Sequence, residues 1–123
     1  MFSLAHLSDL HLGPLPVGSA RRHFALKRTI GVFNWRLNRH RVHSPAVAAA
    51  IAADIVAAAP DHVALTGDIV NVAAHDEFVA AARWLYAFGA PDWISFVPGN
   101  HDSYVRMDWR HGLSHLNAYM QGD

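Results

Sequence analysis

The sequence contains no cysteine, no excess of charge and no long apolar run, and each absence narrows what the chain can be. Without thiols it forms no disulfide and no thiolate metal site, so any metal ligand must be His, Asp, Glu or Asn. Ten basic and ten acidic residues cancel, and we expect no nucleic-acid partner. The longest apolar segment, 46–59, is interrupted by Asp54 and is shorter than the roughly 20 residues that span a bilayer. The N-terminus does not resemble a secretory signal, so we expect a soluble, cytoplasmic protein.

Strand-like and helix-like patterns alternate along the chain. Short apolar runs that stop at polar residues or glycine predict strands at 2–7, 62–66 and 93–97. Helical spacing predicts helices at 45–59 and 75–88, with weaker periodicity at 109–120. Ser44 and Pro45 are typical of a helix start, and Pro60 ends that helix. The alternation predicts βαβ units around a parallel sheet, so the expected fold class is α/β.

Residues 20–43 are the most basic part of the chain. Seven cations are interleaved with large apolar side chains and there is no acidic residue, which predicts one or two amphipathic helices. A solvated helical face is the simplest interpretation. A lid over a substrate site and a binding module are alternatives. The module would use 21–41, with Arg36, Arg39 and Arg41, against a phosphate-rich partner or as a weak peripheral contact with an anionic membrane.

Each predicted strand is followed within two residues by side chains of the kind that bind metals. The three groups are Ser8-Asp9-Leu10-His11, Gly67-Asp68-Ile69-Val70-Asn71 and Gly99-Asn100-His101-Asp102. Because the carboxyl ends of parallel strands meet at one edge of a sheet, the groups should converge there. Each group alone is also an ordinary turn sequence, but three such turns on one edge are hard to explain without a shared site.

The spacing within the groups suggests roles. In an extended segment Asp9 and His11 point the same way and can bind one cation. Gly67 allows a tight turn that places the Asp68 carboxylate between two cations about 3.5 to 4 Å apart. Asn71 either supports the site or caps the following helix, and capping is favoured.

The third group offers different chemistry. Asn100 supplies a neutral amide oxygen, and Gly99 before it allows an unusual backbone conformation and a close approach to the site. His101 stands beside the metals without having to bind one.

These groups resemble the motifs of the calcineurin-like metallophosphoesterases, which are Asp-x-His, Gly-Asp-x-x and Gly-Asn-His-Asp/Glu in that order. The resemblance extends across nearly the whole chain. Leu-Ser-Asp-Leu-His-Leu-Gly and Val-Pro-Gly-Asn-His-Asp are most similar to the branch related to class III cyclic-nucleotide phosphodiesterases. The resemblance implies a four-layer α/β/β/α sandwich, of which residues 1–123 would form the N-terminal part of a single domain.

The resemblance also implies a site and a reaction. Two metal ions, of manganese, iron or zinc, would be bound by Asp9 and His11 at the first, Asp68 at both and Asn100 at the second. His101 would contact the scissile phosphate and help to protonate the leaving group. Asp102 would orient a neighbouring histidine. The implied activity is hydrolysis of a phosphate-ester small molecule, a phosphodiester, by metal-activated hydroxide.

The sequence departs from the family pattern after Asp102. The family's further strands, which supply a histidine for the second metal, and its Gly-His-x-His block do not occur. His111 and His115 are four residues apart and form an alternative metal pair on one helix face. We therefore expect a fragment or truncated gene product that binds metal incompletely, and whether it is active alone stays open.

Overall fold

The computed structural model describes residues 1–12 and 44–121. The predicted amphipathic helices of residues 20–43 lie outside the described residues. So do the binding or lid segment 21–41 and its three arginines, Arg36, Arg39 and Arg41. Among the described residues, no helix is long and apolar enough to cross a membrane.

Three parallel strands form the described sheet, in the spatial order β1-β2-β3. Their bounds are Leu4–Leu7 for β1, His62–Thr66 for β2 and Ile94–Val97 for β3. The ladder pairs Leu7 with Leu65 and Leu65 with Phe96, so the three strands end close to the same level. The α/β prediction is confirmed, and the polar residues that follow the strands emerge at one edge.

In the described part of the chain, one α-helix precedes β2 and another connects β2 to β3. Helix α1 spans Pro45–Ala58, and the Ser44 hydroxyl accepts a hydrogen bond from the Ala46 N–H at 3.3 Å, as the sequence predicts for this cap. Ala59 ends α1 in the left-handed conformation, with φ 47°. Helix α2 spans His75–Phe88, the predicted range.

The C-terminal helix expected at 109–120 is instead two 3₁₀ segments, Trp109–His111 and Leu113–Tyr119. Gly112 separates them with φ −131° and ψ −115°, a conformation that no helix continues through. The second segment packs on α2, where the Tyr119 hydroxyl donates to the Gly89 carbonyl at 2.9 Å.

The core lies between the sheet, α2 and the second 3₁₀ segment. Its side chains are buried, and the largest of the fully buried ones are Leu65, Ile69, Phe78, Leu85, Ile94, Leu116 and Tyr119. Each such apolar side chain contributes roughly 1.5–3 kcal/mol when buried. This core fixes β2, β3 and α2 relative to one another, and so fixes the loops that leave them.

Candidate metal centre

The loop after β1 continues alongside the loop after β2 by backbone hydrogen bonds. The Asp9 N–H donates to the Gly67 carbonyl at 3.1 Å and the His11 N–H donates to the Asp68 carbonyl at 2.9 Å. The two loops are therefore tied together beyond the end of the sheet, and their side chains are brought to one place.

The ligand candidates in these two loops have an unusual backbone. Asp9, His11 and Asp68 have φ of 56°, 42° and 55°, in the left-handed region that L-residues rarely occupy. The prediction that Asp9 and His11 share an extended segment is therefore wrong, because β1 ends at Leu7 and the chain turns sharply. Strain of this kind, about 1–3 kcal/mol per residue, is concentrated at functional sites.

Gly67 and Gly99 lie against each other where β2 and β3 end. A Cβ on Gly67 would lie 2.7 Å from the Gly99 Cα, and one on Gly99 would overlap the Asp68 carboxylate. Gly67 has φ 79°, as its predicted turn requires, whereas Gly99 is outside the left-handed region. The prediction of an unusual backbone at Gly99 is wrong; the close approach is what requires glycine there.

Donor atoms from all three loops converge. One possible ligand atom from each of His11, Asp68 and His101 lies within 4.8 Å of the other two. Within residues 1–12 and 44–121, these three side chains form the cluster that could hold a metal ion. The His11 Nε2 atom is 4.0 Å from an Asp68 oxygen and 4.0 Å from an Asp9 oxygen. His11 and Asp68 are buried, whereas the Asp9 side chain is 66% exposed. The cluster therefore has a buried wall and an open side.

Backbone carbonyls set the orientation of both histidines. The Nδ1 atom of His11 is 3.2 Å from the Val70 carbonyl oxygen, and that of His101 is 2.6 Å from the Asn71 carbonyl oxygen. A carbonyl only accepts, so Nδ1 carries the proton and Nε2 carries the lone pair in each neutral ring. For His11 this directs a ligand nitrogen toward the two carboxylates. The His101 ring also stacks on Tyr104, with centroids 5.5 Å apart.

Asp102 anchors the loops after β2 and β3 to each other. Its carboxylate accepts four backbone N–H groups, from Asp68 at 2.7 Å, Gly99 at 2.8 Å, and Ile69 and Val70 at 3.0 Å. Burial raises the pKa of this carboxyl, although the N–H bonds oppose that shift. Asp102 is only 2% exposed, and these four bonds hold the backbone of both loops. The orientation of a histidine by Asp102 stays a prediction.

Asn71 is not the cap of α2. The N-cap position is Ala74, so the favoured interpretation of Asn71 is wrong. Asn71 is buried, donates its amide to the Leu12 carbonyl at 3.2 Å, and offers its own carbonyl to His101. The structure thus places it beside the site, as the alternative interpretation expected.

Glu77 is the residue that sequence reasoning missed. Its carboxylate accepts the N–H groups of Asn71 at 2.8 Å, Val72 at 3.1 Å and Ala74 at 2.9 Å. Burial raises the pKa of the Glu77 carboxyl, and these bonds act in the opposite direction. A signal was available, since a Glu at the third helical position commonly bonds back to the N-cap N–H.

The remaining candidates are less closely connected to the cluster. Asn100 follows β3 and is exposed. His111 and His115 contact His75 at the start of α2, with ring centroids 5.7 and 5.1 Å from it. The metal pair proposed for these two histidines stays a prediction.

The donor set fits a metal ion. Imidazole nitrogen and carboxylate oxygen without sulfur suit manganese, iron and zinc alike. His11 is already in the tautomer that leaves Nε2 for a metal, and one oxygen of Asp9 and one of Asp68 each lie 4.0 Å from that atom. The other Asp68 oxygen accepts the His101 N–H at 2.8 Å, which fixes the direction of this carboxylate.

These residues define a candidate metal site at the carboxyl edge of a parallel sheet. The sequence profile of the calcineurin-like phosphoesterase family matches residues 2–122. The chain therefore belongs to the calcineurin-like phosphoesterase family, whose members are metal-dependent phosphoesterases. No curated protein sequence matches the chain.

Proposed function

We propose that the chain carries a two-metal site for hydrolysis of a phosphodiester, in the branch related to class III cyclic-nucleotide phosphodiesterases. The observation that carries this proposal is the convergence of His11, Asp68 and His101, one from each strand end, within 4.8 Å. Family membership supports the phosphoester chemistry. Family membership does not decide the preference for a diester, the number of metal ions or the role of each residue, and these are proposed here.

The ligand roles follow the order of the loops. Asp9 and His11 would hold the first ion, Asp68 would hold both, and Asn100, which is exposed in the loop after β3, would hold the second. When bound, two metal ions would activate the attacking water and neutralise charge on the phosphoryl oxygens.

His101 is the proposed proton donor to the leaving group. Its Nδ1–H is occupied by the Asn71 carbonyl at 2.6 Å, so Nε2 is the atom at which the ring gains and loses a proton. Stacking against Tyr104 limits rotation of the ring. His101 thus keeps one nitrogen in a fixed direction while the leaving oxygen departs.

Metal binding is tested first, because it does not depend on the substrate. The 123-residue chain is equilibrated with Mn²⁺, passed over a desalting column and analysed for metal per chain. We expect bound metal in the wild type and its loss in Asp68→Ala, while Asp92→Ala, which removes an exposed carboxylate, keeps it. A wild type without metal, or equal metal in Asp68→Ala, would contradict the proposal.

Hydrolysis is tested second, with bis(p-nitrophenyl) phosphate as the diester and p-nitrophenyl phosphate as the monoester. We expect the diester to be the better substrate. His101→Ala should keep its metal and lose about 10²- to 10⁴-fold in turnover, the range for loss of a general acid. His6→Ala, which removes an exposed histidine of β1, serves as the control. Full activity in His101→Ala would remove the proposed acid.

A further inference from the structure

A buried carboxylate that touches none of the proposed ligands holds the loop between β2 and α2. Glu77 is 3% exposed, and its two oxygens accept three backbone N–H groups, from Asn71, Val72 and Ala74. Among residues 1–12 and 44–121 it forms no salt bridge. Its negative charge is therefore compensated by the loop's own amides.

The same loop carries the carbonyl that holds His101. The Asn71 N–H donates to Glu77, and the Asn71 carbonyl accepts from His101 Nδ1 at 2.6 Å. One residue thus connects the buried carboxylate to the proposed acid. Ala73 in this loop has φ 54°, a left-handed conformation that a non-glycine residue adopts only when its surroundings hold it.

We propose that Glu77 is a positioning residue, which fixes the loop of residues 71–74 so that the Asn71 carbonyl keeps His101 in its Nδ1–H tautomer. The consequence for catalysis rests on the proposed function. The tautomer itself does not, and it is measurable without substrate.

Glutamine tests the carboxylate without changing its size. Glu77 Oε1 accepts from Asn71, and Oε2 accepts from Val72 and Ala74. Glutamine has one carbonyl oxygen and one amide group, so in either orientation an N–H donor would face at least one backbone N–H. Glu77→Gln therefore loses one or two of the three bonds, and the strained loop is free to relax away from His101.

The first measurement is the tautomer of His101 in Glu77→Gln, by nitrogen-15 NMR of the imidazole ring at a pH where the ring is neutral. We expect the wild type to be predominantly Nδ1–H and the share of the Nε2–H form to rise severalfold in the variant. Asp76→Asn, a neutralising change at the adjacent residue of the first turn, should leave the ratio as in the wild type. An unchanged ratio in Glu77→Gln would overturn the inference.

The second measurement separates positioning from general weakening of the fold. Because Glu77 does not lie in the ligand loops, metal content and KM should stay within about twofold while kcat falls roughly 10- to 100-fold, the usual effect of removing such a support. Equal loss of metal and activity would mean that Glu77 only supports the fold.

The experiments distinguish failure of the proposed function from failure of the role proposed for Glu77. A wild-type chain that hydrolyses neither ester would refute the proposed function, while the NMR ratio would still decide the role of Glu77. If Glu77→Gln does not fold, Ala73→Gly is added to it, because glycine occupies the left-handed region without strain. The tautomer is then read in that double variant against Ala73→Gly alone.

Discussion

Removing the Asp102 carboxylate should destabilise the protein more than any surface substitution. The group is 2% exposed and accepts four backbone N–H groups from the loops after β2 and β3. Four bonds to a charged acceptor at roughly 1.5–3 kcal/mol each would sum to about 6–12 kcal/mol, which is comparable to the whole stability of a small domain. They share one carboxylate whose burial costs free energy, so the sum is not additive.

The expected loss for Asp102→Ala is about 3–5 kcal/mol in the free energy of unfolding, the range for truncating one partner of a buried charged interaction. Asp102→Asn should lose less, about 2–3 kcal/mol, because its carbonyl still accepts from one pair of amides while its NH₂ opposes the other pair. Urea unfolding, followed by tryptophan fluorescence and by circular dichroism, measures both variants.

The matched control is Asp108→Asn. Asp108 is exposed and accepts a single N–H bond, from Arg110 at 2.9 Å, at the start of a 3₁₀ segment. Asp108→Asn should lower the free energy of unfolding by at most about 1 kcal/mol. If Asp102→Ala also lost less than about 1 kcal/mol, the four bonds would not hold the loops together, and the reasoning would be refuted.

Three further predictions concern single groups. Gly99→Ala should lower metal affinity more than tenfold in a metal titration, because its methyl group would overlap the Asp68 carboxylate. Ser3→Ala should raise the pKa of the Asp61 carboxyl, because hydrogen bonds from the Ser3 backbone N–H and hydroxyl hold that pKa below its ordinary 3.8. The stability that the lowered pKa contributes is present above pH 3.8 and is lost as the pH falls through the pKa of the folded state. His115 should titrate below 6.5 by NMR, chiefly because of burial, so folding loses stability as pH falls below 6.5.

Each of these has a clear contrary result. Wild-type metal affinity in Gly99→Ala would mean that the β2 and β3 loops are not in contact at that point. An unchanged carboxyl pKa in Ser3→Ala, read by carbon-13 NMR, would remove the tie between the starts of β1 and β2. A His115 pKa at or above 6.5 would mean that water reaches the ring freely.

The strongest local signals in the sequence predicted the elements they mark. Gly67 and Gly89 stop β2 and α2, and both elements have the predicted bounds. β1 is shorter than predicted, because the ladder begins at Leu4 opposite His62 and Phe2 before it is 71% exposed. Pairing with a neighbour decides where a strand starts, and one sequence segment does not contain that information.

The candidate site, like the strands, was only partly predictable from the sequence. Residue types and their positions after strands indicated that Asp9, His11 and Asp68 would come together, since parallel strands share an edge. Their left-handed backbone was not predictable, because L-residues avoid it unless tertiary contacts impose it. Glu77 was missed for a related reason. It resembles an ordinary first-turn acid, and its role depends on the loop that folds over it.

The buried carboxylate of Asp102 explains how the ligand loops keep their arrangement before a metal binds. The left-handed backbone at Asp9 and Asp68 opposes that arrangement. Four N–H bonds to Asp102 oppose this tendency on the β2 and β3 loops, while the three N–H bonds to Glu77 hold the loop of residues 71–74 that contacts His101. A preorganised ligand set binds metal without first having to order itself. Metal affinity should therefore depend on Asp102, which binds no metal, nearly as strongly as on the ligands themselves.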